Sequence, residues 1–135
     1  MANAFFAKAR KSFVNGDISW RDDTIKAVLV DAADYTIDLV NDEFLSDIAE
    51  GARVATSGAF ASKTSEDGVL DADDITLSTV SGDVSELLVI YQDTGVAATS
   101  RLILAIDTAT GLPVTPNGGD IVIRWPSGSN KIAKI

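Results

Sequence analysis

Three carboxylates stand within five residues at 70–74, which read Leu-Asp-Ala-Asp-Asp. Carboxylates at this density can chelate a hard cation such as calcium, or serve as a general acid and base. An EF-hand loop started at Asp71 finds its next ligand at Asp73. It then meets Ile75 where an oxygen is needed, Thr76 where glycine is needed and Gly82 where a bidentate glutamate is needed. That pattern fails after two ligands, and a calcium site of another kind, built from Asp71, Asp73 and a distant acid, stays open. If the stretch is extended, Asp71 and Asp73 face one side, towards water, with Leu70 and Ala72 opposite. Asp74 then turns the chain into the strand that follows, and acids here discourage edge-to-edge pairing of sheets.

Other chemistries find less to work with. The chain contains no histidine and no cysteine. Ser-His-Asp and Cys-His catalysis, the usual zinc sites and disulfides are therefore absent from it. A glycosidase needs two carboxylates facing each other across a cleft, and among 20 acids the sequence singles out no pair. Nucleophile-elbow, Walker and dinucleotide signatures are missing, and the glycine-rich "TPNGGD" has no Lys-Ser/Thr after it, so it reads as a turn. No catalytic residue and no cofactor is expected. Trp20 and Trp125 could stack on a sugar, but Trp125 alternates with Ile121 and Ile123, which favours core or interface packing.

The elements that must position these residues belong to a chain of 135 residues, a length that suggests one domain. With 46% hydrophobic and 23% charged residues it has the profile of a soluble globular protein. No apolar run approaches the roughly 20 residues of a membrane-spanning helix. The opening "MANAFFAKARKSFVNG" is interrupted by Lys8, Arg10 and Lys11 and does not read as a signal peptide. Those three are the only charges in residues 1–16. The remaining eight bases stand against all 20 acids, so the two segments carry +3 and −12. An acidic body of this kind repels nucleic acid, whereas the basic segment suits an acidic surface.

Residues 4–14 read as an amphipathic helix, with Phe5, Ala9 and Phe13 at four-residue spacing and Phe6 beside them. Asn15-Gly16 stops it. The segment 1–16 is either a helix packed on its own domain or an arm reaching a neighbour, and residues 17–135 form a β-rich domain. Strands are predicted around 24–31, 53–62 with a bulge at Gly58, 74–80, 86–93, 101–107, 121–126 and 130–135. In 24–31, Ile25, Ala27 and Leu29 share one face and Val28 and Val30 the other. Residues 35–51 are expected to be a loop with a short helix near 42–49 stopped by Gly51, and 108–120 a long connection. The fold class is mainly β: a single-domain antiparallel β-sandwich or barrel-like fold with a short N-terminal helix.

Five stretches in series carry a resemblance: "NGDISWRDDTIKAVLVD" (15–31), "DEFLSDIAEGARVATSG" (42–58), "KTSEDGVLDADDITLSTVSG" (63–82), "ELLVIYQDTGVAATSRLILAID" (86–107) and "TGLPVTPNGGDIVIRW" (110–125). Together they resemble a family of small virion-associated proteins from tailed bacteriophages, in the family's order and over nearly the whole chain. "LDADDITL" takes the place of that family's Asp-Ala-Asp-Asp-Val-Thr pattern, a strand entry. The resemblance implies a β-rich structural protein of the virion, assembled in the host cytoplasm, in the role of capsid decoration (cement) protein. Its implied partners are the major capsid protein and copies of itself as a homo-oligomer, with no nucleic acid, membrane or cofactor. A neck, tail or baseplate component and a host-surface or glycan-binding module are the alternatives. Interface candidates are the Phe5, Phe6 and Phe13 face, then Leu112 and Pro113 in the long loop, with Trp20 and Tyr35 behind them.

Overall fold

A computed structural model describes residues 3–107 and 112–135. The chain is mainly β, built on one antiparallel five-stranded sheet with a short N-terminal helix. The sheet comprises β1 (Ala4–Phe5), β2 (Ile25–Val30), β3 (Arg53–Thr56), β6 (Leu87–Gln92) and β7 (Leu102–Ile106), in the order β1-β7-β6-β2-β3. Two short ribbons accompany it: β4 (Val69–Leu70) with β9 (Ala133–Lys134), and β5 (Ile75–Leu77) with β8 (Ile121–Ile123).

The apolar runs at 25–30, 87–92 and 102–106 become the inner strands because both their faces are covered. Ile25, Ala27 and Leu29 of β2 join Leu88 and Ile90 of β6 on one face, over which Leu70, Ile75, Leu77, Ile123 and Ile132 of the ribbon segments pack. Val28, Val30, Leu87, Val89 and Tyr91 form the other face, covered by Phe6 and Ala9 and by Leu45, Ile48 and Ala52. The predicted division of β2 into two faces is the observed one. Its register against β6, Ala27 opposite Ile90 and Leu29 opposite Leu88, places like with like across the strands.

The helix α1 runs Ala7–Asn15, later than the spacing of the phenylalanines predicts. Ala4 and Phe5 instead form the edge strand, paired with Ala105 and Leu104. Gly16 closes the helix in the left-handed conformation at φ 80°, its N–H donating to the carbonyls of Phe13 and Ser12. Strand and helix both pack on the rest of the chain, so residues 4–16 are not an extended arm.

Three further expectations are corrected. The short helix near 42–49 is a 3-10 turn at Leu45–Asp47, held by the Asp47 carboxylate, which accepts the N–H groups of Glu43 and Phe44 at 2.8 and 3.0 Å. Gly51 lies within a second such turn, Glu50–Ala52, rather than stopping the first. The strand predicted over 53–62 ends at Thr56. There the Ser57 hydroxyl accepts the Ala27 N–H at 2.9 Å, in place of a backbone carbonyl, and donates to the Gly58 carbonyl. The register shift falls at Leu29/Val30 on the partner strand, not at Gly58.

Candidate interaction surface

The acidic stretch links the two ribbons. Leu70 ends β4 and is buried; Ile75 starts β5 and is buried; Asp73 and Asp74 between them are exposed. Asp71 is half-buried and exchanges both backbone hydrogen bonds with Thr64 at 3.0 Å. Its carboxylate lies 3.5 Å from the Lys131 ammonium. The Asp73 carbonyl accepts the Trp125 indole N–H at 3.0 Å, and the Asp74 carboxylate accepts the Trp125 backbone N–H at 2.9 Å. The stretch therefore clamps the chain after β8 to the chain before β5. A hydrogen bond from a backbone N–H to a carboxylate is among the stronger kinds.

Trp125 is half-buried. Its ring lies 5.6 Å from Phe60, and Phe60 in turn meets Trp20 edge-on at 6.1 Å. Trp20 is itself buried and donates its indole N–H to the Asp71 carbonyl at 3.4 Å. Together Asp71, Asp73, Asp74, Trp125 and Lys131 line an open groove of about 470 Å³.

A second groove of about 430 Å³ lies beside β1, between Phe5, Arg10 and Leu104 on one side and Asn130–Lys134 on the other. Arg10, Lys131 and Lys134 charge it, and among the described residues no acid lines it. The Arg10 guanidinium sits 5.3 Å over the Phe5 ring. Lys131 belongs to both grooves.

The predicted contact residues are redistributed. Phe6 is completely buried, and Phe5 and Trp20 nearly so, because β1 and the chain before β2 are drawn into the core. Those three aromatics serve packing within the chain and present no exposed patch, contrary to the expectation. Phe13 and Leu112 are half-buried against the core under the ribbons, and Pro113 is exposed. Tyr35 is buried on the opposite face of the sheet, with its hydroxyl on Asp42 at 2.5 Å. Of the long loop, residues 108–111 lie outside the described residues. From Leu112 on the loop is tied to residues 80–85 through the Val114–Ser85 bridge and the bonds of Val80 to Gly118 and Gly119.

A second group of carboxylates, which the sequence reading did not single out, lies elsewhere in the fold. Among the described residues it is Asp31, Asp34 and Asp83 whose carboxylate oxygens converge, within 4.8 Å of one another. Asp31 is buried and the other two are exposed. Asp31 and Asp34 are close in sequence, but Asp83 lies far beyond them, so no local motif joins the three. No described helix is long and apolar enough to cross a membrane. No protein-family model matches the chain, and no curated protein does.

Proposed function

We propose that the chain is a structural virion protein of a tailed bacteriophage, acting as a capsid decoration protein that binds the assembled head and stabilises it. The observation that carries this reading is the ordered series of five segments spanning residues 15–125 that resembles small virion-associated phage proteins. The architecture is compatible with the role: a sheet covered on both faces, with two ribbons packed over one of them. Binding free energy to the shell becomes shell stability by mass action. The surface bearing the two grooves supplies charged contacts for the major capsid protein and for neighbouring copies. No catalytic role is proposed.

The test is a cryo-EM reconstruction of particles incubated with the purified chain. Decoration requires density on the head lattice at a copy number set by icosahedral symmetry. A ring at one vertex or density on the tail axis assigns the chain to the neck, tail or baseplate instead. A glycan-binding role draws on one specific feature, the half-exposed Trp125 beside carboxylates in an open groove. A glycan array without hits, and a Trp125→Ala chain that still adsorbs to cells, dispose of it.

A further inference from the structure

The chain carries nearly two acids for every base, yet three of its 11 bases meet in the groove beside β1 without an acid among its lining residues. Neither Arg10 nor Lys134 has an ion-pair partner among the described residues. The sheet adds a polar group there. Phe6 donates its N–H to the Ile103 carbonyl at 3.0 Å, so in the antiparallel ladder the next pair, Phe5 with Leu104, is a non-hydrogen-bonded one. Phe5 thus turns its N–H and C=O away from β7, on the side of the open edge. The neighbouring groove has the opposite character. Asp73 is exposed there with a carboxylate that meets no partner among the described residues, and Lys131 lines both grooves.

A basic and an acidic groove side by side form a self-complementary pattern. In a two-fold pair joined through this face, each basic groove meets the other's acidic lip. An isologous contact needs that arrangement, in which each patch meets its counterpart twice. We propose that the chain pairs with a second copy of itself through this face, Arg10 and Lys134 of each copy taking Asp73 of the other. The proposal rests on the reading above in that it supplies the self-association a repetitive lattice uses, and it names the residues that drive it. Opposed unpaired charges also reject wrong partners and fix register.

The experiment is sedimentation velocity on the full chain, with near-UV circular dichroism confirming that each variant is folded. Wild type is expected to dimerise, with a dissociation constant rising about tenfold or more between roughly 50 mM and roughly 500 mM NaCl as salt screens the contacts. The Arg10→Glu/Lys134→Glu chain and the Asp73→Arg chain are each expected to be monomers. Mixed together they are expected to form a heterodimer, because each contact then again joins opposite charges. A wild type that stays monomeric at low salt, variants that dimerise as wild type does, or a mixture that fails to pair each overturns the proposal. Particle binding is scored separately. A chain that coats heads yet stays monomeric loses this pairing and keeps the decoration role. One that pairs as described but leaves heads bare keeps the pairing and loses the decoration role.

Discussion

At the scale of single residues, the two tyrosines give the clearest pH signature. Burial first, and then the hydrogen bond to the Asp42 carboxylate, push the Tyr35 phenol far above its ordinary value. Burial, followed by the negative charge of Asp93, raises Tyr91 as well. Both neutral phenols favour the fold. Their stabilisation is present in full below the unfolded value of about 10 and is lost as pH climbs through the raised folded values. Absorbance titration of the native chain should therefore show phenolate forming at higher pH than in the urea-unfolded chain, whose tyrosines ionise near pH about 10. Superimposable titration curves for the folded and unfolded chains contradict the burial. The acidic trio is a matter of charge rather than of pH, since three converging carboxylates repel one another. In chelator, Asp83→Asn is expected to raise stability by a few tenths of a kcal/mol, about the size of other surface like-charge terms. Thermal melts with and without calcium check this, and a lower melting temperature for the variant only when calcium is present would locate a cation at Asp31, Asp34 and Asp83.

At the scale of elements, legibility followed how local the deciding interaction was. The apolar runs of β2, β6 and β7 announce themselves because both faces of an inner strand need apolar residues, and Gly16 announces the helix end because αL conformation favours glycine. The edge strand did not, since two residues have no period and the spacing of Phe5, Ala9 and Phe13 imitates a helix. The role of residues 70–74 was half legible. Solvated acids entering a strand are read correctly at Asp73 and Asp74, but their partner Trp125 lies 51 and 52 residues away. That clamp makes a sharp comparison between neighbours. Asp74→Ala leaves the Trp125 N–H without its carboxylate and should cost about 1–2 kcal/mol. Asp73→Ala keeps the backbone carbonyl that accepts the indole and should stay within about 0.5 kcal/mol of wild type. Urea titration of both variants decides it, and equal losses mean that the side chain of Asp74 is not what holds the chain after β8 to the chain before β5.

At the scale of the whole molecule, the question is whether the first 16 residues are a detachable contact arm or part of the fold. Their charge of +3 against −12 in the rest makes them look separable, and an arm could be deleted with the body's melting unchanged. The packing argues otherwise. Phe6 is completely buried among Val28, Val89 and Ala105, and Phe5 lies in the opposite core with Leu104, so this one segment plugs both faces of the sheet. Truncating a buried phenylalanine typically costs about 3–5 kcal/mol, and a whole domain holds only about 5–15. Removing β1 also bares the β7 edge, which is then free to pair with another chain. A chain lacking residues 1–16 is therefore expected to lose the near-UV dichroism of its tryptophans and to aggregate. The Phe6→Ala chain should stay folded but melt lower, by roughly the single-site cost. If the truncated chain keeps the wild-type spectrum and melting temperature, the segment is an arm after all. If it unfolds as expected, the basic groove beside β1 cannot exist without the core that Phe5 and Phe6 complete. Charge reversal at Arg10 and Lys134, rather than deletion, is then the way to separate binding from folding.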